Sequence, residues 1–179
     1  MTVLEQSPIT MALRQVPEFA QDQATRWWAH DSVAHALYPT RDDVIVYAQS
    51  ELAKLTRLPR GWDGGNARAV HAAVADMALT LINRVVRGDG LATPQFSPLP
   101  CGGVNTVWLV DGDQLTIAFD EGELAIYGHC ADGREQFDHH FVGGEDRAVG
   151  LRRIEAAVDE ARIFLEGISA GVQHQLIPR

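Results

Sequence analysis

The sequence predicts an α+β fold, in which a helical N-terminal extension precedes an antiparallel β-meander packed against two helices. Three observations support this prediction. Apolar residues have helical spacing between about residues 41 and 87, they alternate along short runs between residues 95 and 142, and helical spacing returns after Gly144. Asp-Gly turns between the short runs are typical of hairpins, and the order helices, sheet, helix is that of an α+β fold.

The first half of the chain is predicted to be helical. Pro17 suits the first turn of a helix over residues 18–36. Thr40 suits the N-cap of a second helix over residues 41–55, whose apolar residues have helical spacing. A third helix, over residues 67–87, has its apolar residues on one face and ends at a Gly-Asp-Gly stop.

The second half is predicted to form five strands and a last helix. The strands are expected at residues 95–99, 104–110, 114–119, 123–130 and 134–142. The last helix is expected over residues 145–165. Its apolar stripe comprises Leu151, Ile154, Val158, Ala161 and Leu165. One face of the sheet is therefore expected to pack against the third and last helices.

These elements divide the chain of 179 residues into three parts. Residues 1–57 form the helical N-terminal extension, residues 58–168 the α+β core domain, and residues 169–179 a flexible tail. No run approaches the roughly 18 apolar residues that a membrane span needs. The start of the chain lacks a signal-peptide pattern, and two cysteines are too few for a disulfide framework. A cytoplasmic location is therefore expected.

The negative charge is concentrated in the predicted meander. The chain has 15 Lys and Arg against 24 Asp and Glu, for a formal net charge of -9. Residues 101–141 contain eight of the acidic residues and one basic residue, Arg134. General binding to phosphate backbones requires a basic surface. Direct nucleic-acid binding is therefore not expected.

Most of these acidic residues flank hairpin turns, where aspartate is favoured because its side chain bonds the nearby backbone. Alternate turns of a meander lie at opposite ends of the sheet, so the acids separate into two groups. One end is expected to hold Asp120, Glu121 and Glu123. The other end is expected to hold Asp111, Asp113, Asp132 and Glu135. This second group is a candidate contact for a protein with a basic surface.

Two pairs of adjacent residues, each with a tryptophan, are further candidates for partner contact. Trp27 and Trp28 are adjacent on a predicted helix and cannot both face one core, so packing of the extension and an oligomer or partner surface both stay open. Trp62 and Asp63 lie in a Gly-rich loop over residues 58–66. They either close the end of the core and bond the loop amides, or form an exposed anchor for a partner.

The Gly-rich loop also supports a family resemblance. Gly61-Trp62-Asp63-Gly64 is followed by an amphipathic helix, Pro94, Cys101-Gly102-Gly103-Val104 and Trp108. This order resembles a family of small bacterial proteins of unknown function that share a Gly-Trp-Asp-Gly motif. The resemblance covers about residues 55–128, although Val107 stands where a Glu usually precedes the Trp. It implies a shared fold and an association with mobile elements or phages, and it supplies no catalytic residue.

A group of histidines and a cysteine is the candidate for metal chemistry. His129 and Cys130 are expected on one strand and His139 and His140 on the next, and imidazole and thiolate are zinc ligands. Their spacing matches no recognised zinc pattern, and alternation sends His139 and His140 to opposite faces. We therefore expect no metal and no cofactor, with a small metal-dependent enzyme as an alternative.

Together these observations predict a non-catalytic protein. The sequence contains no phosphate-binding loop, dinucleotide fingerprint or nucleophile elbow. The expected function is protein binding, as an accessory or inhibitor of a bacterial mobile element or phage. An alternative is an acidic anti-defence inhibitor, similar to anti-CRISPR proteins, that blocks a nucleic-acid-binding site. Homodimerisation through the N-terminal helices is a further expectation.

Overall fold

The computed structural model describes residues 39–120, 122–143 and 147–175. Within them the helices are α1 (Arg41–Leu55), α2 (Ala72–Val85) and α3 (Arg147–Gln175). The strands are β1 (Gln95–Pro98), β2 (Val104–Val110), β3 (Asp113–Asp120), β4 (Glu123–His129) and β5 (Glu135–Val142). The predicted helix over residues 18–36, which includes Trp27 and Trp28, lies outside the described residues.

Helix α1 begins and ends where the sequence predicts. The Thr40 hydroxyl accepts a hydrogen bond from the Asp43 N–H, and the Asp43 carboxylate accepts one from the Thr40 N–H, which together form a capping box. Val44, Ala48 and Leu52 are buried in the same core as the sheet. This helix lies within the predicted extension over residues 1–57, and its apolar face contributes to the core of the α+β fold.

Helix α2 begins at Ala72, and the predicted start at residue 67 is wrong. The segment before it is an extended connection that pairs with the turn between β1 and β2. The N–H of Arg68 donates to the Pro100 carbonyl at 2.8 Å, and the N–H of His71 donates to the Gly102 carbonyl at 3.4 Å. These hydrogen bonds to a distant turn hold the segment in an extended path in place of the predicted helical turns.

The five strands form one antiparallel sheet in the order β1-β2-β3-β4-β5, which confirms the predicted meander and the α+β fold. Alternate residues point to opposite faces of each strand. One face packs on the helices, and we call it the helix-side face; the other is called the second face. The helix-side face includes the fully buried residues Val104, Trp108, Leu115, Ile117 and Ile126.

The Asp-Gly turn between β2 and β3 has the backbone conformation that the sequence indicates. Asp111 has a φ of 51° and Gly112 a φ of 93°, so both central residues of this two-residue loop have positive φ. A type I′ hairpin turn requires that combination, because its twist matches that of the flanking strands. The turn fixes the register in which Val110 lies opposite Asp113.

Helix α3 continues to Gln175, ten residues beyond the predicted end at residue 165 and into the predicted tail. Ile168 and Ser169 are buried, and the Ser169 hydroxyl accepts a hydrogen bond from the Ala92 N–H at 3.1 Å. This packing outweighs the helix-weakening effect of Gly167. The predicted stripe is correct at Val158, Ala161 and Leu165, which are buried, and Ile154 packs against the core, but Leu151 is exposed.

In the part of the chain that the structure describes, no helix has the length and apolar character needed to cross a membrane.

Candidate functional site

The Gly-rich loop is held closed by its own tryptophan and aspartate. The Trp62 ring N–H donates to the Arg68 carbonyl at 3.1 Å. One Asp63 carboxylate oxygen accepts from the N–H of Gly65 at 2.9 Å and of Ala67 at 3.2 Å. These contacts give Trp62 and Asp63 a role in shaping the loop, and Asp63 bonds the loop amides as the sequence suggests. Their contact with a partner stays a prediction.

The two hairpin turns at one end of the sheet are in direct contact. A carboxylate oxygen of Asp113 accepts a hydrogen bond from the Ala131 N–H at 2.7 Å. Gly112 approaches Ala131 so closely that an added Cβ would lie 3.0 Å from the Cβ of that alanine. The turn between β2 and β3 and the turn between β4 and β5 therefore form one joined surface.

The Asp132 carboxylate forms its hydrogen bonds within its own turn. Its carboxylate accepts from the Arg134 N–H at 3.1 Å and from the Arg134 guanidinium at 2.6 Å. The hydrogen bond from the Arg134 backbone, followed by that from its guanidinium, lowers the pKa of Asp132. This carboxylate and this guanidinium are both solvent-exposed, so their pairing contributes little to stability.

Asp111 and Glu135 differ from the other two acids of this end. Asp113 bonds Ala131 and Asp132 bonds Arg134, whereas no hydrogen bond or ion pair engages the carboxylate of Asp111 or Glu135 within the described residues. Both residues are exposed. Asp111 and Glu135 are therefore the two carboxylates of this end that have no partner within the described residues.

A row of side chains crosses the second face beside these turns. The strand register places Leu109 opposite Gln114, Gln114 opposite His129, and His129 opposite Glu135. Leu109 is 58% exposed, which is unusual for a leucine in a central strand. We call Leu109, Asp111, His129 and Glu135 the turn-end surface.

Two side chains of this row, Gln114 and His129, are held in place by neighbouring residues on the second face. The Gln114 side-chain amide donates to the Thr116 hydroxyl at 2.8 Å. Tyr127 lies opposite Thr116 in the strand register, and burial raises the pKa of Tyr127. The rings of Tyr127 and His129 meet edge to face, with centroids 5.5 Å apart. The His129 ring is thereby positioned between an aromatic ring and the acidic turns.

The remaining acids of the meander are separated from this surface. Asp120 and Glu123 lie opposite each other at the other end of the sheet, and Asp138 lies on the second face of β5. Glu121 is outside the described residues. An inhibitor that mimics nucleic acid requires carboxylates spread over one contiguous face, so this division counts against the acidic anti-defence alternative.

The histidines of β5 lie on opposite faces, as alternation predicts. His139 stacks between Phe137 and Phe141 on the helix-side face and contacts the Glu160 carboxylate at 2.7 Å. His140 contacts the Asp138 carboxylate at 2.8 Å on the second face. Among the described residues, no three His, Cys, Asp or Glu side chains are arranged to hold a metal ion. The geometry therefore offers no support for the metal-dependent alternative there.

Cys101 is a half-buried thiol beside Asp120. Burial, and then the hydrogen bond with the Asp120 carboxylate, raise the pKa of Cys101 to about 11. A nucleophilic cysteine requires the opposite shift, toward the thiolate at neutral pH. This thiol is therefore protonated and poorly reactive under physiological conditions.

No protein-family model, curated protein or solved structure matches this chain. The resemblance to the Gly-Trp-Asp-Gly family stays a prediction.

Proposed function

We propose that the protein is a non-catalytic protein-binding protein, which uses the turn-end surface to contact a basic and partly apolar surface of another protein. The observation that supports this proposal most directly is the exposed side chain of Leu109, at one end of a row that leads through Gln114 and His129 to Glu135, with Asp111 in the adjoining turn. Charge complementarity favours a basic partner, and the exposed leucine supplies apolar area within the contact.

The joined turns reduce the cost of binding. The hydrogen bond between Asp113 and Ala131 holds the two turns together before a partner arrives. A surface that is already ordered loses less conformational entropy when it is bound. The side chains of both turns are therefore already in the arrangement that a partner would contact.

The charge of the surface also determines which partners are excluded. Removing a carboxylate from water is costly unless the partner supplies donors or a positive charge. An acidic or purely apolar partner would leave Asp111 and Glu135 without compensation. The surface therefore favours Arg- or Lys-bearing partners.

The accessory or inhibitor role is supported by two further points. The resemblance of residues 55–128 is to a family associated with mobile elements or phages. The protonated state of the Cys101 thiol, whose pKa is raised to about 11, removes the most evident candidate nucleophile from the described core.

A matched pair of double variants tests this proposal. Leu109→Ala with Asp111→Asn removes the apolar anchor and one free charge, and Asn keeps the positive φ of residue 111 acceptable. Met77→Ala with Asp76→Asn makes the same chemical change on α2, where Met77 is 49% exposed. Each full-length protein is used as bait in lysate from its native host.

The proposal predicts one specific partner that is recovered by the wild type and by the α2 variant, and is lost with the turn-end variant. Recovery of the partner by the turn-end variant, or recovery of no specific partner by the wild type, contradicts it.

A further inference from the structure

The two edges of the sheet differ in how they are protected. β1 has four residues and includes Pro98, and short edge strands with proline resist pairing with another chain. β5 has eight residues and contains no Pro, Lys or Arg. Within the described residues, β5 pairs only with β4. The pairing with β4 has a register shift at Gly128/His129 and is regular from Phe137 to Val142. The outer backbone N–H and C=O groups of that regular part are therefore suited to strand pairing.

We propose that this edge pairs with the same edge of a second copy, so that β5 and its copy run antiparallel about a two-fold axis. Such a pairing is self-complementary, as a symmetric dimer requires. It joins the two meanders into one continuous sheet.

The charges along β5 select one register. A two-fold axis at His139 places Asp138 opposite His140 of the second copy, and His140 opposite the second copy's Asp138. An axis at Asp138 places two aspartates opposite each other, which is unfavourable. An axis at His140 places each Asp138 opposite Val142, which supplies no compensating group. The axis at His139 places His139 opposite itself on the helix-side face, where each copy keeps its own contact with the Glu160 carboxylate. The existing Asp138–His140 contact at 2.8 Å then becomes part of an alternating group of four side chains.

The helix-side face fits the same register. Phe137 and Phe141 lie on either side of His139 on that face, so each phenylalanine lies opposite the other phenylalanine of the second copy. Cross-strand aromatic pairs stabilise antiparallel strands. The stack of Phe137, His139 and Phe141 therefore continues across the axis.

An exposed apolar stripe on α3 lies beside this edge. Val149, Ala156 and Ile163 recur every seven residues and are exposed, with Val149 at 48% and Ile163 at 62%. They are helical neighbours, three or four residues away, of Arg153 and Glu160, which contact Phe141 and His139 of β5. The two-fold axis is normal to the sheet, so both copies of α3 lie on the same face and their stripes face each other.

The mass of the full-length protein in solution is the first test, measured by light scattering over a range of concentrations. The expected mass is twice the 19.6 kDa of one chain. A strict monomer at about 0.1 mM overturns the proposal, since it places the dissociation constant above the range of a specific dimer.

Charge variants test the register. Asp138→Lys places a lysine opposite His140 of the second copy at two points, and is expected to raise the dissociation constant at least about tenfold. Adding His140→Asp restores opposite charges and is expected to restore the dimer. Asp76→Lys on α2 makes the same charge change elsewhere and is expected to leave the dimer intact. A dimer that tolerates Asp138→Lys overturns the proposal.

A cysteine variant tests the axis. In this register residue 139 lies opposite itself, at a Cα separation of about 4.5–5.5 Å, within the range of about 4.4–6.8 Å that a disulfide needs. His139→Cys is expected to form a covalent dimer on mild oxidation. Gln136→Cys is the matched control, because in this register Gln136 lies opposite Val142 of the second copy and beyond the limit of about 7 Å from its own copy. The wild-type protein is oxidised in parallel, because any disulfide that it forms between copies must come from its native cysteines, Cys101 and Cys130.

If the protein is a dimer in solution but His139→Cys forms no crosslink, the proposed β5 pairing is overturned. The dimer would then be explained by the predicted contact through the N-terminal helices. Equal crosslinking of both cysteine variants also contradicts the register.

Discussion

The carboxylate of Asp113 accepts a hydrogen bond from the backbone N–H of Ala131 at 2.7 Å, and this contact joins two hairpin turns that are separated by 18 residues in sequence. Asp113→Ala is expected to lower the free energy of unfolding by about 1 kcal/mol, since it removes the acceptor of this bond. Asp113→Asn keeps an oxygen acceptor and is expected to lose less. Urea denaturation measures both, and equal losses would contradict the assigned role.

Two fully buried threonines are expected to respond to valine substitution with opposite signs. The Thr106 hydroxyl has no hydrogen-bond partner, so Thr106→Val is expected to stabilise the protein by about 1 kcal/mol. The Thr116 hydroxyl accepts a hydrogen bond from the Gln114 side-chain amide, so Thr116→Val is expected to cost about 1 kcal/mol. Thermal and urea unfolding of the two variants provide the comparison, and changes of the same sign would contradict it.

Gly103 is expected to tolerate no side chain. A Cβ at this position would clash with the Phe119 carbonyl oxygen, which is backbone and cannot move aside without disturbing β3. Gly103→Ala is expected to cost about 3 kcal/mol or more. Gly88→Ala, where an added Cβ meets open space, is the control and is expected to be neutral or slightly stabilising. Stability of Gly103→Ala close to the wild type would show that this loop is packed differently.

Cys101 is expected to react slowly with alkylating reagents. Its pKa is raised from 9.0 to about 11, which lowers the thiolate fraction at neutral pH about a hundredfold. Asp120→Asn removes the neighbouring charge and is expected to speed the reaction. Peptide mass spectrometry separates Cys101 from Cys130, and a rate at Cys101 that matches a free thiol contradicts the assignment.

The same shift makes stability depend on pH in the alkaline range. Because the folded state keeps the thiol proton between about pH 9 and 11, the stability from this group is present below pH 9 and is lost as pH rises toward 11. Cys101→Ser is expected to reduce that alkaline loss.

The sheet and α1 were predictable because their signals are local. Thr40 with Asp43 marks the start of α1, and Asp111-Gly112 marks a hairpin turn between two alternating runs. The start of α2 was not predictable in this way, because Arg68 and His71 bond a turn about 30 residues away in sequence. The end of α3 was also missed, since it depends on the contact between Ser169 and Ala92.

The candidate site was predictable in part. The order of a meander already places Asp111 and Asp132 at the same end, but the sequence does not show that Asp113 and Asp132 are used by internal hydrogen bonds. The importance of Leu109 was missed. Its parity opposite to Val104 and Trp108 on β2 was the available signal, but its exposure depends on the packing of the whole sheet.

The most direct test of the turn-end surface is amide hydrogen exchange of the full-length protein, alone and in complex with the partner recovered from its host. Binding at this surface predicts slower exchange at the turn amides of residues 111–112 and 131–133, with little change on α1 and α2. Unchanged exchange at both turns, with protection elsewhere in the chain, would contradict the proposed binding surface.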